Sequence, residues 1–211
     1  MVEAFFAAWL GILVAQLAPG PNLLAVASAA LGQGRRAALF VALGVAVGSA
    51  VWIVATTLGL VAVLLAVPAS IIAMKILGGG YLLVLSVRAL LAAMRGSQFR
   101  VAPGRAVASD ASSFLRGLLV VLTNPKSVLA WAAMVAFLFG HGIGAGQAVW
   151  FTPVGAVSAL VVYSAYAVLF STSAATRVYA RAARWFEAAF GAVFGILGGA
   201  LLADGIRSLR S

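Results

Sequence analysis

Long uncharged runs dominate the distribution of apolar and polar residues along the chain. Residues 4–34 and residues 37–74 contain no charged side chain, and their apolar residues do not alternate regularly with polar ones. A helix of about 20 apolar residues crosses a bilayer, whereas the strands of a membrane barrel alternate between apolar and polar residues. The pattern therefore predicts an all-α membrane protein.

Six apolar stretches are long enough to cross a membrane, and glycine, proline or arginine separates each from the next. We predict transmembrane helices at 5–31, 38–66, 70–93, 114–139, 147–171 and 186–205. The corresponding breaks are 32–36, 67–69, 94–113, 140–144 and 172–185. The whole chain, 1–211, is then a single transmembrane domain in the lipid bilayer.

The composition agrees with this class and excludes several others. Hydrophobic residues make up 64% of the chain and charged residues 9%, against about 25% charged residues in soluble domains. The absence of cysteine excludes disulfides and thiolate chemistry, and a single histidine, His141, argues against a histidine metal site. We therefore predict no metal and no other cofactor. Residues 1–4 lack lysine and arginine, so we expect a retained first helix rather than a signal peptide.

The net charge of +10 comes from 14 basic and 4 acidic side chains. Cytoplasmic loops of membrane proteins retain arginine and lysine, which explains this charge better than nucleic-acid binding does. If the first segment did not cross the membrane, five crossings would put the amino terminus inside. We predict six crossings with both termini outside, which places these arginines on the cytoplasmic side: Arg35, Arg36, Arg88, Arg95, Arg100, Arg105, Arg116, Arg177, Arg181 and Arg184.

The polar stretch 94–113 separates the apolar segments into two groups of three. Because three is odd, the second group must cross the membrane in the opposite sense to the first, which is the arrangement of an inverted-topology repeat. We predict repeat 1 at 1–95, a cytoplasmic linker at 96–113 and repeat 2 at 114–211.

Each group opens with a helix that proline interrupts. The first helix contains Pro19-Gly20-Pro21-Asn22, and the fourth contains Asn124-Pro125-Lys126. Proline has no amide hydrogen, so three backbone carbonyls should lose their helical donors, those of Ala15, Leu17 and Val121. Paired interruptions at corresponding positions mark transport sites. We therefore predict that both motifs line the substrate path, with an ordinary proline kink as the alternative.

Lys126 lies near the middle of its predicted span, where a lysine costs about 2.5–3.5 kcal/mol on insertion scales. Such a residue needs a partner or a wet cavity. Three roles remain open from the residues alone. The ammonium could meet the carboxylate of an amino acid, donate to the carbonyls that the prolines free, or itself carry a proton.

Four further polar residues could line the same path. Asn22 and Asn124 carry amides that can cap broken helix ends, and contact with substrate would be additional. Gln16 precedes the first break and could face the cavity or another helix. Tyr81 follows a run of glycines, where either a hydrogen bond into the cavity or a packing role is open.

Other notable residues are interpreted structurally. Gly44 and Gly48 have the Gly-x-x-x-Gly spacing that lets helices approach closely, and glycine-rich faces would also suit a homodimer. Glu187 and Asp204 fall at opposite ends of the sixth predicted helix, where we expect water to solvate them.

Several short motifs together resemble the LysE/RhtB family of amino acid exporters. Besides the first proline motif, they are Gly32-x-Gly34-Arg35-Arg36-Ala37, Lys75-x-x-Gly78-x-x-Tyr81-Leu82, Phe114-x-x-Gly117 and Leu122-Thr123-Asn124-Pro125-Lys126. They occur in the expected order and spacing over nearly the whole chain.

The resemblance implies secondary-active export of amino acids or close derivatives across the bacterial cytoplasmic membrane, in exchange for protons. It also implies that the proline breaks lie on the translocation path. The chain departs from the family in one respect, because many relatives carry an acidic residue inside the fifth segment and the stretch 158–166 has none. Coupling or substrate should differ accordingly.

Two alternatives remain from the residues themselves. The cargo could be another small solute, a metal ion or a hydrophobic compound, although the lack of cysteine and of buried carboxylates argues against cations. The protein could instead be a non-transporting scaffold subunit, for which broken helices and a central lysine would serve no purpose. Because no catalytic constellation or nucleotide-binding motif occurs, we predict a transporter rather than an enzyme.

Overall fold

A computed structural model describes residues 2–67, 70–95 and 109–209. Most of the predicted linker, at 96–108, lies outside the described residues together with its two arginines. Pro68 and Ala69 of the second predicted break also lie outside them.

The described residues form helices, with no strand among them, so the all-α prediction is confirmed. The helices are α1 Val2–Leu17, α2 Pro21–Gln33, α3 Arg35–Ala66, α4 Ser70–Arg95, α5 Asp110–Thr123, α6 Pro125–Gly140, α7 Ala145–Ala148, α8 Phe151–Leu169 and α9 Ser173–Ser208.

Four stretches of the described chain are long and apolar enough to cross a membrane as they stand, in α3, α4, α7–α8 and α9. The remaining apolar length is divided between two bent pairs. Helices α1 and α2 meet at 46°, and helices α5 and α6 meet at 60°. If each pair is one span, the described residues supply up to six crossings, and six is the number predicted from the sequence.

Three predicted breaks are wrong in extent. Helix α4 includes Arg95 and α5 begins at Asp110, and both residues fall inside the break predicted at 94–113. The segment predicted as a break at 172–185 is helical from Ser173 onward, because it is rich in alanine and arginine, which favour helices, and contains no glycine or proline. The break predicted at 32–36 shrinks to Gly34, whose φ of 88° suits glycine. As a consequence, Glu187 lies well inside α9 rather than near its end.

Large apolar side chains cover the outer faces of the long helices. Leu58 of α3, Leu77 of α4 and Ile196 of α9 are 58%, 73% and 72% exposed. Lipid tails would cover such side chains, which agrees with a protein that spans the membrane.

The helices pack around two apolar clusters. One is built mainly from α1, α4, α6 and the later part of α9, and the other from α2, α3, α8 and the beginning of α9. Helix α4 runs along α9, while α3 packs between α5 and α8. The bends of α1–α2 and α5–α6 therefore lie where the two clusters meet.

Ion pairs close both ends of the bundle. Arg36 at the start of α3 binds Asp110 at the start of α5, with N–O distances of 2.7 and 3.2 Å. At the other end, Lys75 of α4 lies 2.7 Å from Asp204 of α9, whose side chain is 50% exposed. The expectation of a solvated end is thus confirmed for Asp204.

Glycines allow α3 and α5 to touch backbone to backbone. A Cβ atom at Gly44 would lie 2.1 Å from the carbonyl oxygen of Phe114, and one at Gly117 would lie 2.0 Å from that of Val41. At Gly48 a Cβ would lie 2.2 Å from Val121 Cγ1. The packing role predicted for Gly44 and Gly48 is confirmed.

We expect Gly117→Ala to destabilise the protein by about 1–3 kcal/mol or more, because its methyl group has no room beside the backbone of α3. Thermal melting of the detergent-purified protein measures the effect. Gly80→Ala in α4 is the matched control, since a Cβ there would meet nothing within 4 Å. Equal melting temperatures for the two variants would contradict the packing argument.

Candidate functional site

The first break, between α1 and α2, is held by two tyrosine hydroxyls. Helix α1 ends at Leu17, and the carbonyl of Leu17 accepts hydrogen bonds from Tyr166 at 2.9 Å and Tyr179 at 2.7 Å. This is one of the carbonyls that the sequence predicts to lose its helical donor, in this case to Pro21. The aromatic residues come from α8 and α9, so these helices supply what the backbone lacks.

The second break, between α5 and α6, is held in a similar way. Trp52 of α3 donates its indole N–H to the carbonyl of Val121 at 3.1 Å, and Val121 is the residue predicted to lose its donor to Pro125. Asn124 then caps α6, because its side-chain oxygen accepts from the backbone N–H of Lys126 at 3.0 Å. Pro125 is the first residue of α6, a position where proline is favoured.

The two breaks face each other through their asparagine side chains. Asn124 donates to the side-chain oxygen of Asn22 at 3.1 Å. Asn22 in turn donates to Ser127 at 3.2 Å and to the hydroxyl of Tyr163 at 3.5 Å. The capping role holds for Asn124 but is wrong for Asn22, because Gly20 precedes α2 and no side chain caps that helix.

Lys126 reaches from the second break to the first. Its ammonium donates to the carbonyl of Pro19 at 3.3 Å and lies 4.5 Å from the ring centroid of Phe190, within the range of a cation–π contact. A Cβ at Gly20 would lie 3.7 Å from the ammonium nitrogen. Lys126 therefore links the two broken helices, as its second predicted role has it, but through the carbonyl of Pro19 and not through one of the three carbonyls predicted to lose their donors.

A small cavity lies between the two breaks, and most of the predicted site residues line it. Its volume is about 40 Å³, enough for a few water molecules and too little for an amino acid. Gln16 faces this cavity and is also held by α8, donating to the carbonyl of Gly155 and accepting from Ser158. The polar residues that line it are Gln16, Asn22, Ser49, Asn124, Lys126, Ser127 and Tyr163.

A second and larger cavity adjoins the first at Lys126. Its volume is about 470 Å³, and α4, α6 and α9 line it. Tyr81 lies in this cavity and not in the small one. Glu187 lies there too and is 9% exposed, so the expectation that water solvates it at a helix end is wrong. The polar residues of the larger cavity are Tyr81, Arg88, Lys126 and Glu187.

The structure thus brings Pro19, Gly20, Asn22, Asn124 and Lys126 together around one centre, with Gln16 on its wall. Pro21 begins α2 with an exposed side chain. Sequence reasoning missed two hydrogen-bond donors and one acid, because their helices were placed wrongly or contain no recognisable motif at these positions. Tyr179 and Glu187 belong to the part of α9 predicted as a break or a boundary, and Trp52 is one aromatic among many apolar neighbours in α3.

The family profile described as LysE type translocator matches residues 13–205. The chain belongs to the LysE type translocator family. The match covers the end of α1, both breaks, every helix from α2 to α8 and nearly all of α9. Members of this family move solutes across membranes, so this LysE type translocator is a multi-pass transporter rather than an enzyme.

Several curated relatives of this translocator carry efflux names. It is 29% identical to the threonine efflux protein of Escherichia coli K12 over 184 residues, which cover 86% of this chain and 89% of the relative. It is 27% identical to the threonine efflux protein of Salmonella typhi over 195 residues, with 92% and 95% covered. A leucine efflux protein of Salmonella choleraesuis is 32% identical over 123 residues, with 58% and 57% covered. No solved structure shows a significant match.

We expect the double variant Tyr166→Phe/Tyr179→Phe to lose more stability than its two single variants together. Either tyrosine alone still pairs the Leu17 carbonyl, so each single change should cost about 0.5–1.5 kcal/mol. Losing both leaves a backbone acceptor unpaired in the membrane, which adds about 1–3 kcal/mol. Thermal melting in detergent checks this, with Tyr81→Phe in the larger cavity as control. An additive double variant would argue against shared pairing of Leu17.

Proposed function

We propose that this translocator exports neutral amino acids across the bacterial cytoplasmic membrane by alternating access around its two bent helix pairs. One observation carries the proposal. The Lys126 ammonium sits between the breaks, in a cavity lined by amide and hydroxyl groups, and contacts one backbone carbonyl and the ring of Phe190. Such a group is poised to exchange that neutral acceptor for the carboxylate of a substrate.

The exchange is favourable because charge-assisted hydrogen bonds are stronger than those to neutral acceptors. A carboxylate that approaches Lys126 competes with the Pro19 carbonyl. When Lys126 turns to the substrate, the first break loses its contact with the second. The angle between α1 and α2 is then free to change, so substrate binding and helix movement are coupled through one side chain.

The size of the small cavity supports a moving structure. At about 40 Å³ it cannot contain an amino acid, so the helices around the breaks must separate for substrate to pass. The bends at 46° and 60° provide two hinges at which they can do so. Alternate opening of the two ends would expose the Lys126 centre first to one side of the membrane and then to the other.

Orientation and repeat symmetry form part of the same proposal. A bent pair opens each half of the chain, and an unbroken α3 or α8 and then α4 or α9 follows it. This order supports two inverted three-helix repeats, each with a proline break at its first span. The arginine-rich starts of α3 and α9 would lie in the cytoplasm, with Lys75 and Asp204 outside.

The substrate class rests on the relatives, two of which are named for threonine efflux and one for leucine efflux. Both of these amino acids are neutral zwitterions. Export would be driven by exchange with protons, which agrees with the family resemblance and with the lack of a nucleotide-binding motif in the sequence.

Lys126→Met should severely impair efflux while leaving insertion intact, because the variant keeps the apolar stem and removes the ammonium. Loss of a charged hydrogen bond to substrate should lower the apparent affinity about 10- to 100-fold. The measurement is release of radiolabelled threonine or leucine from cells and from proteoliposomes. Lys75→Met is the matched control, since Lys75 is the other lysine of the chain and pairs with a half-exposed carboxylate.

Normal efflux from Lys126→Met would remove the residue from the mechanism. A wild-type protein that moves neither amino acid in proteoliposomes, yet purifies with one defined partner, would favour a scaffold role. A panel of inorganic ions in the same assay would detect a different cargo.

A further inference from the structure

The larger cavity has the size and chemistry of a binding site for a small charged molecule. Its volume of about 470 Å³ lies within the range of roughly 300–1,000 Å³ that is typical of small-molecule sites. Two basic side chains and one acidic side chain line it, Arg88 of α4, Lys126 of α6 and Glu187 of α9. Apolar residues make up the rest of the wall apart from Tyr81.

The charges in this cavity do not neutralise one another directly. The ion pairs found among the described residues join Arg36 to Asp110 and Lys75 to Asp204, and neither includes Glu187. Within the same part of the chain, no side chain or backbone group donates a hydrogen bond to Glu187. Glu187 therefore lines the cavity without a direct partner, while Lys126, which lines the same cavity, donates to the Pro19 carbonyl.

A largely buried carboxylate that forms no direct ion pair and accepts no hydrogen bond is unfavourable, because it has lost much of its water without a contact that replaces it. Glu187 is only 9% exposed. An arrangement of this kind is stable only if a bound cation or water completes it for part of the transport cycle. A cation that carries its own carboxylate would satisfy Glu187 and Lys126 at once.

We propose that Glu187 binds the α-ammonium group of the substrate while Lys126 binds its α-carboxylate. The inference rests on the proposed export function and adds the residue that recognises the amino group. Arg88 gives the cavity an excess positive charge, so amino acids with cationic side chains are disfavoured. The substrate class is therefore α-amino acids without a cationic side chain.

This assignment also accounts for the missing acid of the fifth segment. The stretch 158–166 in α8 contains no carboxylate, but α9 places one in the cavity that Lys126 lines. Because α9 extends unbroken from Ser173, Glu187 lies inside this helix and lines the same cavity as Lys126 and Phe190.

The test compares each amino acid with the analogue that carries a hydroxyl in place of the amino group. In proteoliposomes, unlabelled leucine and 2-hydroxy-4-methylpentanoate compete with radiolabelled leucine, and threonine is tested with 2,3-dihydroxybutanoate. Wild type should prefer the amino acid by about 10- to 100-fold. Glu187→Gln should lower the apparent affinity for the amino acid by that factor and change the apparent affinity for the hydroxy acid by no more than about 2-fold.

Two further variants make the result specific. Glu3→Gln removes an acid from the exposed start of α1 and should change neither affinity. Glu187→Asp keeps the charge and should retain part of the preference for the amino group. If Glu187→Gln does not fold, Glu187→Asp alone must weaken the amino acid more than the hydroxy acid.

An equal loss for both ligands would overturn the assignment, because a merely structural role does not distinguish an ammonium from a hydroxyl. Unchanged selectivity in Glu187→Gln would overturn it as well. A wild-type protein that transports neither leucine nor threonine would refute the proposed export function, and this outcome is separate from the comparison of variants.

Discussion

The pairing of backbone carbonyls at two broken helices is the constraint on which the rest of the structure depends. In hydrocarbon an unpaired carbonyl costs several kcal/mol by rough estimate, so a proline break needs donors from elsewhere in the protein. Tyr166 and Tyr179 supply them to Leu17, and Trp52 supplies one to Val121. These bonds tie α8 and α9 to the first break and α3 to the second. The helices that line the site are thus also those that keep its backbone paired.

Lys126 differs from the aromatic donors in one respect that suits a transporter. A tyrosine or tryptophan brings no charge of its own to such an exchange, whereas an ammonium forms both a hydrogen bond and an ion pair with an arriving carboxylate. In the first break, the Leu17 carbonyl is therefore held permanently by two tyrosines, whereas the Pro19 carbonyl is paired only while Lys126 donates to it. Lys126 also lines both cavities. Its movement from the Pro19 carbonyl to a substrate would therefore connect the larger cavity to the small one.

Sequence reasoning succeeded where proline chemistry is local and failed where a partner comes from a distant helix. The loss of donors at Leu17 and Val121 follows from Pro21 and Pro125 alone, and the all-α class follows from the apolar runs. The identity of the donors could not be predicted, since it depends on how α3, α8 and α9 pack. The arginines at the start of α9 favour a break at 172–185. That prediction leaves Tyr179 outside any helix and puts Glu187 at the boundary of the next one.

The unbroken course of α9 has a mechanical consequence for the proposed cycle. Tyr179 and Phe190 are separated by a rise of about 16 Å and lie about 20° apart around the helix, so they share one face. Tyr179 holds the first break and Phe190 supports the Lys126 ammonium, while Glu187 lies between them in sequence. A rigid helix cannot shift at one of these positions alone. Any tilt of α9 that opens the larger cavity must therefore also pull on the Leu17 carbonyl, which couples access to the cavity with the angle of the first break.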